Sequence, residues 1–297
     1  MPPVTVLIYG WSVLTIDAFG LFGNLALMVI TLKVKRLRTN RCSILIGLIA
    51  LCDFTIGVFI IRNLVNLLSS VPTYQHACSL YMIPVNFSAN VQIVLMLFLA
   101  LDRLLAVASP VWYQNIPSTL YYLIFCFPPV AFASLILVLS LAYQDADKEI
   151  IVCNVPLSLG TVAYAVWNRV SFGASMFTLG CYAAAGIVVW TKTRNSRQKD
   201  LSMESQIKVM KTISFILVFY LLTSLSTHVS NFVIGLIFRG SSDGNVYSMM
   251  FGIAAQSGFA GNFYIYMWRN QTYREAFKNL FRKQIVKVEN VTLTLRK

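Results

Sequence analysis

An all-α membrane protein, a seven-transmembrane helix bundle with a short cytoplasmic surface helix, is the fold class this sequence predicts. Three observations predict it. Of 297 residues, 57% are hydrophobic and only 12% charged, about half the charged share of a soluble domain, which runs near 25%. The apolar residues gather into seven runs, each about the 20 residues or more that a bilayer core demands. The basic residues behind the net charge of +13 crowd into alternate gaps between those runs, as they do in chains that keep one set of loops inside. Basic charge confined to loops points to a membrane surface, so no nucleic acid partner is expected.

Taken in order, the runs cover 7–32, 42–68, 78–108, 119–143, 161–190, 208–238 and 246–268. The first has no basic segment before it, so it reads as a signal anchor rather than a cleaved leader. Behind it come Lys33, Lys35, Arg36, Arg38 and Arg41. The gap between the fifth and sixth runs holds Lys192, Arg194, Arg197 and Lys199, and Lys208 and Lys211 open the sixth. The tail adds Arg269, Arg274, Lys278, Arg282, Lys283, Lys287, Arg296 and Lys297. The opposite gaps contribute Lys148 and Arg239. The positive-inside rule therefore predicts a plasma-membrane protein with an extracellular N-terminus and a cytoplasmic tail. From Asn270 to Phe281 the tail is amphipathic, with Tyr273, Phe277, Leu280 and Phe281 opposite Arg274, Lys278 and Arg282. Such a segment lies on a membrane rather than crossing it.

With that topology the cysteines sort themselves. Cys42, Cys52, Cys126 and Cys181 fall within spans or at a cytoplasmic edge, whereas Cys78 and Cys153 face the oxidising side. The outer pair permits one disulfide, with two free thiols as the alternative. The sequons at Asn270 and Asn290 fall on the cytoplasmic side and the one at Asn86 inside a span, so none is expected to carry a glycan. There is no metal-ligand spacing, glycine-rich phosphate loop or nucleophile motif, and no enzymatic activity is expected.

Polar residues inside spans are costly and mark function or a partner. Asn24, Asp53 and Asn262 lie at comparable depth in the first, second and seventh runs. They predict an intramembrane polar core, with a sodium ion near Asp53 as its one candidate cofactor. Nearer the outside are Asp17, Arg62, Asn66, Asn86, Asn90, Trp167, Asn168, Arg169, His228, Asn231 and Gln256. Polar groups at one depth on several helices are what a small-molecule cavity requires. The ligand-binding candidates are Arg62, Asn86, Asn90, Trp167, Asn168, Arg169, His228 and Gln256. The third run ends on the adjacent acid and base Asp102 and Arg103, followed by Pro110, Trp112 and Tyr113.

These residues carry a resemblance. Gly23-Asn24 in the first run, Leu51-Cys52-Asp53 in the second, the Cys78–Cys153 pair and Asp102-Arg103 ending the third resemble the rhodopsin-like G-protein-coupled receptors. Arg41-Cys42-Ser43 with Leu45-Ile46, and Leu101-Asp102-Arg103-Leu104 with Pro110 and Tyr113, are most similar to nematode Srsx-type serpentine chemoreceptors. The resemblance implies a receptor domain over 1–268 and a cytoplasmic amphipathic helix with a basic tail over 269–297. It also implies a chemosensory receptor that binds a small molecule or short peptide from outside and activates a heterotrimeric G protein. The switch would be Asp102, Arg103, Tyr113, Asn262 and Tyr266, with anionic lipid meeting the basic loops.

The chain departs from the family in three places. Leu104 stands where the third-helix triplet has Tyr, and Asn262-Phe263-Tyr264-Ile265-Tyr266 lacks the seventh-helix proline. The sixth run lacks both Trp and Pro, with Phe219 near the Trp position. The seventh run has no lysine for a retinal Schiff base, and Val85 replaces the acid of amine receptors. A ligand-gated odorant-type channel would place the N-terminus inside, against the charge bias. A secondary transporter would show paired repeats with broken helices, and Pro128-Pro129 has no counterpart.

Overall fold

The computed structural model of the protein describes residues 4–68, 73–144, 148–150, 153–195, 215, 218–219, 221–237 and 242–280. Asp145, Asp147, Arg197, Lys199, Lys208 and Lys211, and the tail beyond residue 280, lie outside the described residues.

The first long helix, α1 (Val4–Lys33), runs without charge from Ala18 to Leu32 and stops on Lys33. Val34 is extended, and the basic turn α2 (Lys35–Arg38) follows. Asn40 starts the next helix by accepting the Ser43 N–H at 3.1 Å, an N-cap that satisfies one of the donors every helix start leaves open. That helix, α3 (Arg41–Leu68), crosses back. Strand β1 (Thr73–Tyr74) pairs antiparallel with β2 (Glu149–Ile150), so two connecting segments are stitched together at one end of the bundle.

The third run is expected as one span from residue 78, but the structure breaks it into α4 (Gln75–Tyr81) and α5 (Ile83–Ala108) at Met82. Pro84 is the reason: it has no N–H to continue the ladder and sits in the first turn of α5, where none is needed. A short turn α6 (Pro110–Asn115) and the helix α7 (Ser118–Ala142) come next. Then α8 (Val155–Ser158), capped by Asn154, leads into α9 (Gly160–Asn195). Gly160 joins them at φ 72°, and a Cβ there would meet the Tyr143 carbonyl oxygen at 2.8 Å.

The sixth run is helical at 215, 218 and 219, passes through a π-turn (Leu221–Leu225) and continues as α10 (Ser226–Ile237). Then come α11 (Ser242–Arg269) and α12 at 271–280. Among the described residues five helices, α1, α3, α5, α7 and α9, are long and apolar enough by length and composition to cross a membrane. α11 has the length but is less apolar, because Gln256, Ser257 and Asn262 interrupt it.

α5 is the centre of the bundle, packed against α3, α7 and α9, while α1 packs on α3 and α11, and α10 on α11. Leu27, Leu45, Leu95, Leu99, Phe125 and Phe263 form the main apolar core. Trp11, Phe19, Phe127 and Phe177 stand exposed on the outside, the surface a lipid environment covers. Lipid tails are as apolar as leucine, so close packing and interhelical hydrogen bonds, rather than flight from water, hold such helices together. The Tyr273 side chain of α12 is buried in the same core, and the Phe277 ring lies 5.6 Å from Phe263. The surface helix is thereby anchored on its apolar face.

The disulfide joins Cys78 of α4 to Cys153, 75 residues later, with Cα atoms 5.6 Å apart. Closing such a loop contributes about 4–5 kcal/mol in the chain-entropy model. Cys78→Ser, Cys153→Ser and the double change are expected to lower the thermal unfolding midpoint in detergent equally; additive losses would mean the two residues act separately. Gly160→Ala is expected to cost about 1–3 kcal/mol through its positive φ, read as a lower unfolding midpoint with an intact disulfide.

Candidate functional site

Three polar layers stack along α5. The first is a cavity of about 120 Å³ at the disulfide end. Its wall is mostly aliphatic, with Ile56, Ile60 and Leu64 from α3 and Val85, Ala89 and Ile93 from α5. Cys153 and the segment 154–156 complete it. The disulfide holds this segment in place. Asn63 donates its side-chain N–H to the Cys153 carbonyl, and Gln75 donates to the Leu157 carbonyl at 2.9 Å.

Of the eight residues expected at a ligand, Trp167, His228 and Gln256 line this cavity. Trp167 and His228 rings lie 5.1 Å apart, and Gln256 donates its side-chain N–H to Asp17. The other five are elsewhere. Asn86 donates to the Ser158 hydroxyl at 3.0 Å and Asn90 to the Asn86 carbonyl at 2.6 Å, so Asn86 holds α8 against α5 while Asn90 bonds back within its own helix. Asn168 is buried outside the lining, and Arg62 and Arg169 are exposed. Arg62 lies over the Tyr81 ring at 5.2 Å. Consecutive helical residues point about 100° apart, so Trp167, Asn168 and Arg169 cannot share one wall. Tyr9, Asn63, Asn154 and Thr227 also contribute polar groups to the lining and were not among those expected.

The second layer is centred on Asp53. Its carboxylate accepts N–H groups from Gln92 at 2.5 Å and Asn262 at 2.9 Å. Asn24 lies outside this pair and donates to the Phe259 carbonyl at 3.0 Å, tying α1 to α11. Gln92 is the residue that composition did not single out. It both lines the cavity and bonds Asp53, so it joins the first layer to the second. A single amide in the apolar run from Val91 to Ala100 is the signal that could have found it.

Beside this layer Phe219 presses on α11 at Gly261, where an added Cβ would come within 2.3 Å of the ring. The glycine is needed for that approach. The π-turn lies just beyond. Hydroxyls bond the backbone carbonyls around it: Thr223 donates to Phe219 O at 2.8 Å, Ser226 to Thr223 O at 3.0 Å and Thr227 to Thr223 O at 2.7 Å. The sixth run, which lacks the proline of the family's sixth helix, thus has a backbone irregularity of another kind.

The third layer closes the opposite end. Arg103 donates to Asp102 through Nε at 2.8 Å and through Nη2. Asp102 has no solvent exposure. Its other oxygen accepts the hydroxyls of Tyr113 at 2.6 Å and Tyr121 at 2.7 Å. Burial, and then the neighbouring carboxylate, push the Tyr113 phenol above its ordinary range, so it remains a donor. Arg41 fixes this turn by donating to Tyr113 O at 2.9 Å and Ile116 O at 2.6 Å, with its guanidinium 5.0 Å from the Tyr121 ring centroid. Lys192 donates to Val107 O at 2.6 Å, capping the end of α5. Of the five expected switch residues, Asp102, Arg103 and Tyr113 meet here. Asn262 belongs to the Asp53 layer, and Tyr266 lies between, its ring 5.3 Å from Tyr273.

No curated protein matches the chain. The model of one family, described as serpentine type 7TM GPCR chemoreceptor Srsx, matches residues 17–281, which takes in all three layers apart from Tyr9 of the cavity wall. The chain is a multi-pass membrane protein and belongs to the Srsx family of serpentine seven-transmembrane chemoreceptors.

Proposed function

We propose that this receptor takes a small extracellular ligand into the disulfide-end cavity and signals by admitting a heterotrimeric G protein at the Arg103 end. The N-terminus would be extracellular and α12 cytoplasmic, as the basic residues of α2, Lys192, Arg194 and α12 support. The observation that carries the reading is the engaged state of Asp102. Its carboxylate holds Arg103 on one oxygen and Tyr113 and Tyr121 on the other. An arginine that contributes to a protein–protein contact must first be released from such a hold, and Arg103 is the group to be released.

The link upward runs through Gln92. A ligand displacing it changes what Asp53 accepts, and Asp53 also holds Asn262 on α11. α11 in turn receives Phe219 from the sixth run at Gly261. A ligand acts only through a difference in its affinity for the two arrangements. Ligand contacts on Gln92, Thr227 and Gln256 supply places for that difference to arise. A sodium ion at Asp53 belongs to the same proposal. Gln92 keeps its side-chain oxygen buried with no partner among the described residues; that oxygen and the Asp53 carboxylate are the hard oxygen donors that would hold such an ion. The basic ends would meet anionic lipid.

Arg103→Ala is expected to abolish G-protein recruitment in intact cells while leaving surface delivery largely intact; full recruitment by that variant would remove the mechanism. Tyr121→Phe takes away one hydrogen bond to a charged group, worth about 1.5–3 kcal/mol. It is expected to raise the ratio of active to resting receptor about tenfold or more, seen as ligand-independent recruitment. Unchanged basal recruitment would show that Tyr121 does not restrain the switch.

A further inference from the structure

The disulfide-end cavity, taken as the ligand site proposed for it, is specific about chemistry as well as place; the ligand class assigned to it rests on that reading. Its volume of about 120 Å³ is close to the engineered cavity of about 150 Å³ that takes up benzene. Among the described residues lining it none is an aspartate, glutamate, lysine or arginine. A charged ligand there would lose hydration without touching a charged group, since the carboxylates of Asp17 and Asp53 stand behind Gln256 and Gln92 and accept their N–H groups. The polar groups that are present are amides, a hydroxyl, a phenol, an imidazole and an indole.

Besides Gln92, with its unpaired side-chain oxygen, two of those groups are more than nine-tenths buried and carry an unpaired atom. Trp167 is 5% exposed and His228 6%. Neither the indole Nε1 nor the imidazole Nδ1 has a partner among the described residues. The indole N–H can only donate, and burying it unpaired is costly unless something else accepts. We infer that the cavity takes an uncharged organic molecule about the size of a substituted benzene, with one oxygen that accepts the indole N–H of Trp167. The aliphatic wall of Ile56, Ile60, Val85 and Ile93 takes the hydrocarbon part.

Full-length receptor in lipid nanodiscs tests this with four probes of one shape: acetophenone, ethylbenzene, benzoate and benzylammonium. The two volatile probes are supplied through the vapour at equal aqueous activity, and binding is read as the rise in unfolding midpoint with concentration. Acetophenone is expected to bind about tenfold more tightly than ethylbenzene, and the two ions not measurably. Trp167→Phe keeps an aromatic ring but no donor, and is expected to erase most of the ketone's advantage while ethylbenzene binding is unchanged. Ala89→Phe and Val85→Phe each fill the cavity and are expected to abolish binding of both neutral probes. Unliganded unfolding midpoints near that of the parent protein verify that each variant is folded.

Equal binding of ketone and hydrocarbon, tighter binding of either ion, or no binding of any neutral probe overturns the inference. Acetophenone binding that survives both cavity-filling changes has a different meaning. It would place the ketone elsewhere and remove the reading of the cavity as the ligand site.

Discussion

A carboxylate with no exposure, at the end of a helix inside a bundle, must find its whole solvation within the protein. Asp102 does so with a guanidinium and two phenols drawn from α5 itself, α6 and α7. Removing one partner from a buried charge costs more than the intact cluster gains, so the three donors are held as a set. Arg41, from the start of α3, then fixes the backbone of α6 and of the link to α7 that presents those phenols. Four segments are positioned by the need to satisfy one side chain.

The same constraint repeats along α5 with weaker groups. Asp53, also buried, is satisfied by two amides instead of a cation. Nearer the disulfide, Asn86 and Asn90 bond a hydroxyl and a backbone carbonyl. The one ion pair among the described residues, Arg103 with Asp102, therefore sits at one end of the bundle, and bonds made by amides and hydroxyls predominate at the other. That ordering suits a molecule read at the neutral end and answered at the ionic one. The cavity lies where hydrogen bonds are cheapest to rearrange.

Much of the fold was legible before any coordinates. Long apolar runs and the alternation of basic gaps identify the class because the bilayer imposes both. The Cys78–Cys153 bond was open to the two thiols that share one side of the membrane, and the structure forms it. Asp102 and Arg103 declared themselves by sitting next to each other at a span end. What stayed hidden was rotation about each helix axis. In a soluble helix the apolar stripe marks the inner face. In a membrane helix the lipid face is apolar too, so nothing in the spacing says which residues turn inward. Asn168 and Arg169 could not be separated from Trp167 for that reason, nor Tyr121 picked out from Tyr122. Gln92 was overlooked as one amide among aliphatic neighbours. The break at Met82 was readable from Pro84.

The π-turn of the sixth run differs in kind from the proline it replaces. Proline lacks an N–H, so a helix bent by it can never recover the missing bond. The run Leu221–Leu225 contains no proline, and its irregularity is held by side-chain hydroxyls that rotate about a single bond. Every donor needed to restore regular α-geometry is already in place there. Drawing the extra residue back into register would turn one half of the helix relative to the other by about 100°. The irregularity of this helix is thus one that the backbone itself could undo, a step of rotation rather than a fixed kink.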